Sequence, residues 1–178
     1  MTWWYLLVVV VVVVLGAWLY WTANRLDKMH HRIEVARGSL DTQLLHRSGS
    51  AMELAGSEAL DPARSLLLME AAHRARAAEP EEFEAVESDL SEVLRAVLAD
   101  PGEIRTLKQD PLVGGLVREL ADDCRKVELA RRFHNDVVAS ARDLRGRRRV
   151  RWLRLAGGAG PVETVDLDDE PPAALAAS

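Results

Sequence analysis

The chain has 178 residues, of which 48% are apolar and only 5% aromatic, and it holds a single cysteine, Cys124. That length suits one domain of ordinary size with a tail, and one cysteine excludes a disulfide scaffold or a cysteine-rich zinc site. The net charge of -5 resides in five acids near the C-terminus (Glu163, Asp166, Asp168, Asp169, Glu170), and the neutral stretch from Arg25 to Arg154 argues against a general nucleic-acid binder.

No charged side chain precedes Arg25. Trp3 to Trp21 is an apolar run with seven consecutive valines, Val8 to Val14. At about 1.5 Å per residue such a helix spans about 28 Å, close to a bilayer's hydrocarbon core. Trp3, Trp4 and Tyr5 at one end and Trp18, Tyr20 and Trp21 at the other form interfacial belts. A cleaved signal peptide would need a basic start and a small-x-small site, and Trp21-Thr22-Ala23-Asn24 is not one. A buried strand of this length is excluded by ordinary strand dimensions. Residues 1–23 therefore read as a retained transmembrane signal-anchor, with the lipid bilayer as a partner. Arg25, Lys28, Arg32 and Arg37 follow the run and no Lys or Arg precedes it. The positive-inside rule then expects a single-pass cell-membrane protein, its N-terminus outside and its body cytoplasmic.

Beyond the anchor the periodicity is helical. Leu26, Met29, Ile33, Ala36, Leu40 and Leu44 form one stripe. That helix is expected to run toward Leu60, with a kink or break at Ser48-Gly49-Ser50 or Gly56-Ser57. Asp61-Pro62 signals a second helix, ending before Pro80. Pro80-Glu81-Glu82 opens a third, closed by Asp100-Pro101-Gly102; a short turn with Ile104 and Leu107 leads to Asp110-Pro111 and a long last helix reaching Leu144. No stretch after the anchor reads as a strand. The expected fold class is all-α: an antiparallel bundle of three or four long helices, residues 24–144, following the transmembrane helix. The spacing also fits coiled-coil pairing, which leaves a homo-oligomer open.

Residues 145–156 form a basic segment in which Arg147, Arg148, Arg149, Arg151 and Arg154 surround Trp152. As a helix it is amphipathic and suited to an anionic lipid surface. Neutralisation by a folded-back acidic tail, nucleic-acid binding, and a plain solvated helix end are the competing readings. Residues 157–178, opened by Gly157-Gly158-Ala159-Gly160-Pro161, are acidic and Pro/Ala-rich and read as a disordered tail.

Catalytic signatures are not found: no Walker loop, dinucleotide fingerprint, nucleophile elbow or zinc-protease helix. The five histidines have no ligand spacing, so no metal, cofactor or catalytic residue is expected. Cys124 beside Asp122 and Asp123 reads as a small core residue, because neighbouring carboxylates raise a thiol's pKa.

Two segments carry a family resemblance. Asn24-Arg25-Leu26 opens a helix that continues through Asp41, Gln43, Leu44 and Arg47, matching an Asp-x-Gln-Leu-x-x-Arg motif. Ala130-Arg131-Arg132-Phe133-His134-Asn135-Asp136-Val137-Val138 matches Ala-Arg-x-Phe-Tyr-Asn-Asp-x-Val, with His134 in place of Tyr. With an anchor ahead of both, the chain resembles the LemA family, although the family's apolar C-terminal stretch is replaced here by Arg145 to Arg154. The resemblance implies an anchored helical bundle without an established catalytic activity. From the residues themselves, Asp41, Gln43, Arg47, Arg132, Asn135 and Asp136 serve either to fix helix register or to form a polar docking groove. The functional expectation is a non-enzymatic interaction or scaffold module with a protein partner. The alternatives are an enzyme or accessory using that groove, and lipid sensing by the Arg/Trp segment.

Overall fold

A computed structural model describes residues 2–146 and 163–176, with the side chains of 2, 19, 22–30, 144–146 and 176 outside the description. The described residues are helical apart from their connections and an extended stretch before the last short helix: α1 (Thr2–Gly56), α2 (Pro62–Ala77), α3 (Phe83–Val97), α4 (Pro101–Gln109), α5 (Gly114–Gly146) and α6 (Ala173–Ala176). The chain divides into two compact units, residues 1–36 with 135–164, and residues 37–134 with 165–178.

In the first unit Trp3, Trp4 and Tyr5, the seven valines and Trp18 are all exposed. Among the described residues no helix is long and apolar enough to cross a membrane. Tyr20 and Trp21, at the far end of the apolar run, are exposed as well. Ile33 packs with Val138 and Ala141. The basic segment, with Arg147, Arg148, Arg149, Arg151, Trp152 and Arg154, lies outside the described residues.

The second unit holds the main core. Ala51 and Leu54 of α1 meet Leu68 and Ala72 of α2, Leu90 and Leu94 of α3, Ile104 of α4, Val117, Leu120 and Cys124 of α5, and Leu175 of α6. The expected break at Ser48-Gly49-Ser50 does not occur. Helix α1 runs through it, Ser48 Oγ donates to Leu45 O at 3.0 Å, and burial of Ala51 and Leu54 holds the next turn in place. The helix ends at Gly56, where Ser57 N donates to Leu54 O and Glu58 takes a left-handed φ of 60°.

Asp-Pro pairs start helices here. Asp61 Oδ1 accepts from Ala63 N and Arg64 N at 3.1 Å, and Asp100 Oδ1 accepts from Gly102 N at 2.8 Å. Asp100-Pro101-Gly102 therefore does not merely close α3; it opens α4, where a turn was expected. Arg64 ties α2 to α4 through a two-pronged pair with Glu103, at 2.7 and 2.8 Å. Gly114 is required by close approach, since a Cβ there would lie 2.5 Å from Lys108 O.

A second correction concerns the tail. The expectation of disorder over 157–178 fails for its described part. Val165, Leu167 and Asp169 point inward while Asp166, Asp168 and Glu170 are exposed, and Pro172, Ala174 and Leu175 are buried.

Candidate functional site

In the second unit the chain's own extended C-terminal segment lies in a groove. Helix α3 supplies one wall. Glu84, Ser88, Ser91 and Arg95 recur at spacings of four, three and four, so they share one face. Each engages the tail. Asp166 N donates to Glu84 Oε1 at 3.1 Å, and Asp168 N to Ser88 Oγ at 3.0 Å. Ser91 Oγ donates to Asp168 O at 2.7 Å, and Arg95 Nη1 to Glu170 O at 3.0 Å. Residue numbers rise together on both sides, so the tail runs parallel to α3. Four residues of extended chain cover about 13 Å and eleven of helix about 16 Å, lengths close enough for the two to stay in step.

Charge and apolar contacts complete the groove. Arg95 grips the Asp168 carboxylate at 3.1 and 2.5 Å, and Arg131 of α5 grips Asp169 at 2.6 and 2.9 Å. Val165 and Leu167 insert into a cluster with Leu40, Leu44 and Val127, against Phe83 and Ala130. Lys108 Nζ donates to Leu175 O at 3.2 Å. Arg95 holds the Asp168 carboxyl below its ordinary range, and Asp169 raises the guanidinium pKa of Arg131.

Beneath the groove lies a buried ion pair. Arg47, 1% exposed, places Nη2 at 2.5 Å from Glu87 Oε2 and donates from Nη1 to Ser91 Oγ at 2.9 Å. Ser91 thus links the pair to the tail's backbone. Burial pushes the Glu87 carboxyl upward, and Arg47 pulls it part of the way back. A second buried carboxylate, Asp123, accepts from Ser50 Oγ at 2.5 Å and pairs with Lys126 at 2.8 Å.

The six motif residues are drawn to different partners. Arg47 belongs to the buried cluster, Asp41 pairs with Arg37 at 3.1 Å, Arg132 pairs with Glu128 along its own helix, and Gln43 is half-buried. Asn135 and Asp136 belong to the first unit. Asp41 also lines a hollow of about 260 Å³ with Arg37, Arg76, Phe83 and Glu87, where the Arg37 guanidinium sits 4.7 Å from the Phe83 ring centre. Two cations face two carboxylates there, so the hollow has no net preference for charge.

Cys124 is 2% exposed in the core, and burial pushes its thiol up to about 11. Among the described residues no group of three His, Cys, Asp or Glu converges to hold a metal. Glu87, Ser91, Arg95 and Arg131 were not singled out as site residues from the sequence. The available signal was the alternation Val165-Asp166-Leu167-Asp168-Asp169, which fits an extended strand with one face buried. Compared with known proteins, the chain matches no family model, no curated protein and no solved structure.

Proposed function

We propose that the chain is a LemA-like, single-pass membrane protein whose antiparallel helical bundle acts as an interaction scaffold at the membrane, without catalysis. One observation carries this reading: a single unbroken helix, α1, includes both the exposed apolar run from Trp3 and the buried core positions Leu40, Leu44, Ala51 and Leu54. Exposed valine is unfavourable in water, and lipid is the solvent that relieves it. In the sequence the run extends through Leu19 to Trp21, long enough to span the hydrocarbon core. The cations that follow it favour a cytoplasmic body. A peptide-holding groove and a redox-inert buried cysteine suit a module that works by contact.

Density-gradient flotation with native membranes tests the attachment: the full chain should float, and recovery at the bottom of the gradient would refute it. Orientation is read with Arg105→Cys in a Cys124→Ala background, because Arg105 is exposed. An impermeant maleimide should label this position only after the membrane is breached. Labelling in intact cells would place the body outside.

A further inference from the structure

We propose that the groove between α3 and α5 is a receptor site for extended acidic peptides of partner proteins, and that residues Val165 to Leu175 are its built-in competitor. This inference rests on the reading of the body as an interaction module and names the chemistry of its partner.

The tail is held as a ligand is held. The side chains of Glu84 and Ser88 accept from its backbone N–H groups and those of Ser91 and Arg95 donate to its carbonyls, a grip independent of its side chains. Such bonds supply affinity for any extended chain, and pockets for alternate side chains supply specificity. Here the pockets define a pattern: apolar at the positions of Val165 and Leu167, acidic at those of Asp168 and Asp169. Both acids meet bidentate arginines, a geometry that selects carboxylate over neutral groups. A partner segment with the same alternation would satisfy every one of these contacts.

The rim is suited to exchange. Arg95 and Asp168 remain partly exposed, at 30% and 41%, so this pair opens to solvent easily. Arg131 and Asp169 are more enclosed, at 23% and 9%, and form the firmer grip. While the tail is seated, an outside peptide binds only through the fraction of molecules whose groove is open.

The test uses the full chain in detergent micelles and a fluorescent peptide of residues 165–176. Two chains are compared: the native one, and one carrying Asp168→Lys with Asp169→Lys, which sets like charges against Arg95 and Arg131. The reversed chain should bind the native peptide at least about tenfold more tightly than the native chain does, since its own tail no longer competes. A peptide carrying the same two lysines should not bind it. Equal binding of both peptides, or no binding by the reversed chain, overturns the proposal. If the reversed chain loses its helical circular dichroism, Arg131→Glu replaces it. That chain should prefer a peptide with Asp169→Lys over the native peptide, and no preference would be equally decisive against it. Peptide binding by a chain that fails to float with membranes would sink the anchored reading alone. Flotation without peptide binding would sink this one alone.

Discussion

Arg47 Nη2 and Glu87 Oε2 lie 2.5 Å apart with both side chains almost wholly removed from water, at 2% and 3% exposure. The pair joins α1 to α3. Burying two ions is costly, and their attraction offsets that cost only while both remain. Arg47→Ala alone, or Glu87→Ala alone, should therefore lower stability by about 3–5 kcal/mol. Replacing both together, by Met and Leu, should recover most of that loss. Thermal melts of the three variants check this; additive losses in the double variant would contradict it.

Leu167 is one of the tail's apolar anchors, 4% exposed among Leu40, Leu44 and Val127. Leu167→Ala should cost about 2 kcal/mol or more. The loss should be local: limited proteolysis should cut the tail sooner while the rest of the second unit stays resistant. Unchanged cleavage would mean the apolar slot contributes little to docking.

Acid should release the tail. Arg95 holds the Asp168 carboxyl below its ordinary value of 3.8 in the folded chain. A folded pKa below the unfolded one gives stabilisation that is complete above the unfolded value and lost as pH falls through the folded one. Asp61 and Glu103 shift the same way through Arg64. Glu87 shifts the other way, so its burial is relieved rather than aggravated by protonation. The tail should stay docked from neutrality to about pH 4 and loosen below it. Hydrogen exchange at the Asp168 amide, which donates to Ser88, reads this directly. Release near pH 6 would indicate a different controlling group.

Glu58 holds a φ of 60° on the exposed side of the turn after α1. A side chain costs about 1 kcal/mol in that region relative to glycine. Glu58→Gly should therefore raise the melting temperature by a few degrees. A lower melting temperature would mean that the Glu58 side chain makes a contact worth more than its backbone strain.

Much of the helical order was legible in the sequence because helix starts are local. Asp61-Pro62, Asp100-Pro101 and Asp110-Pro111 each place a carboxylate beside free backbone N–H groups within two or three residues. The short α4 was missed because its Asp-Pro signal was read as an ending. Arg47 carried a readable signal: it continues the stripe Ile33, Ala36, Leu40, Leu44 and precedes Ala51 and Leu54, all buried. The motif left its role open between fixing helix register and docking, and its partner, Glu87, lies forty residues away. The tail's alternation was legible, but its docking site was not, for a similar reason. Its acids look solvated unless Arg95 and Arg131 are known to face them, and only the packing of α3 and α5 brings those arginines to it.

Alkaline carbonate extraction of native membranes bears most directly on whether the valine-rich run holds the protein in lipid. Carbonate strips peripheral proteins and leaves embedded ones. The full chain is predicted to stay in the membrane pellet, and a chain lacking residues 2–21 to move to the supernatant. Release of the full chain by carbonate would contradict the anchored scaffold.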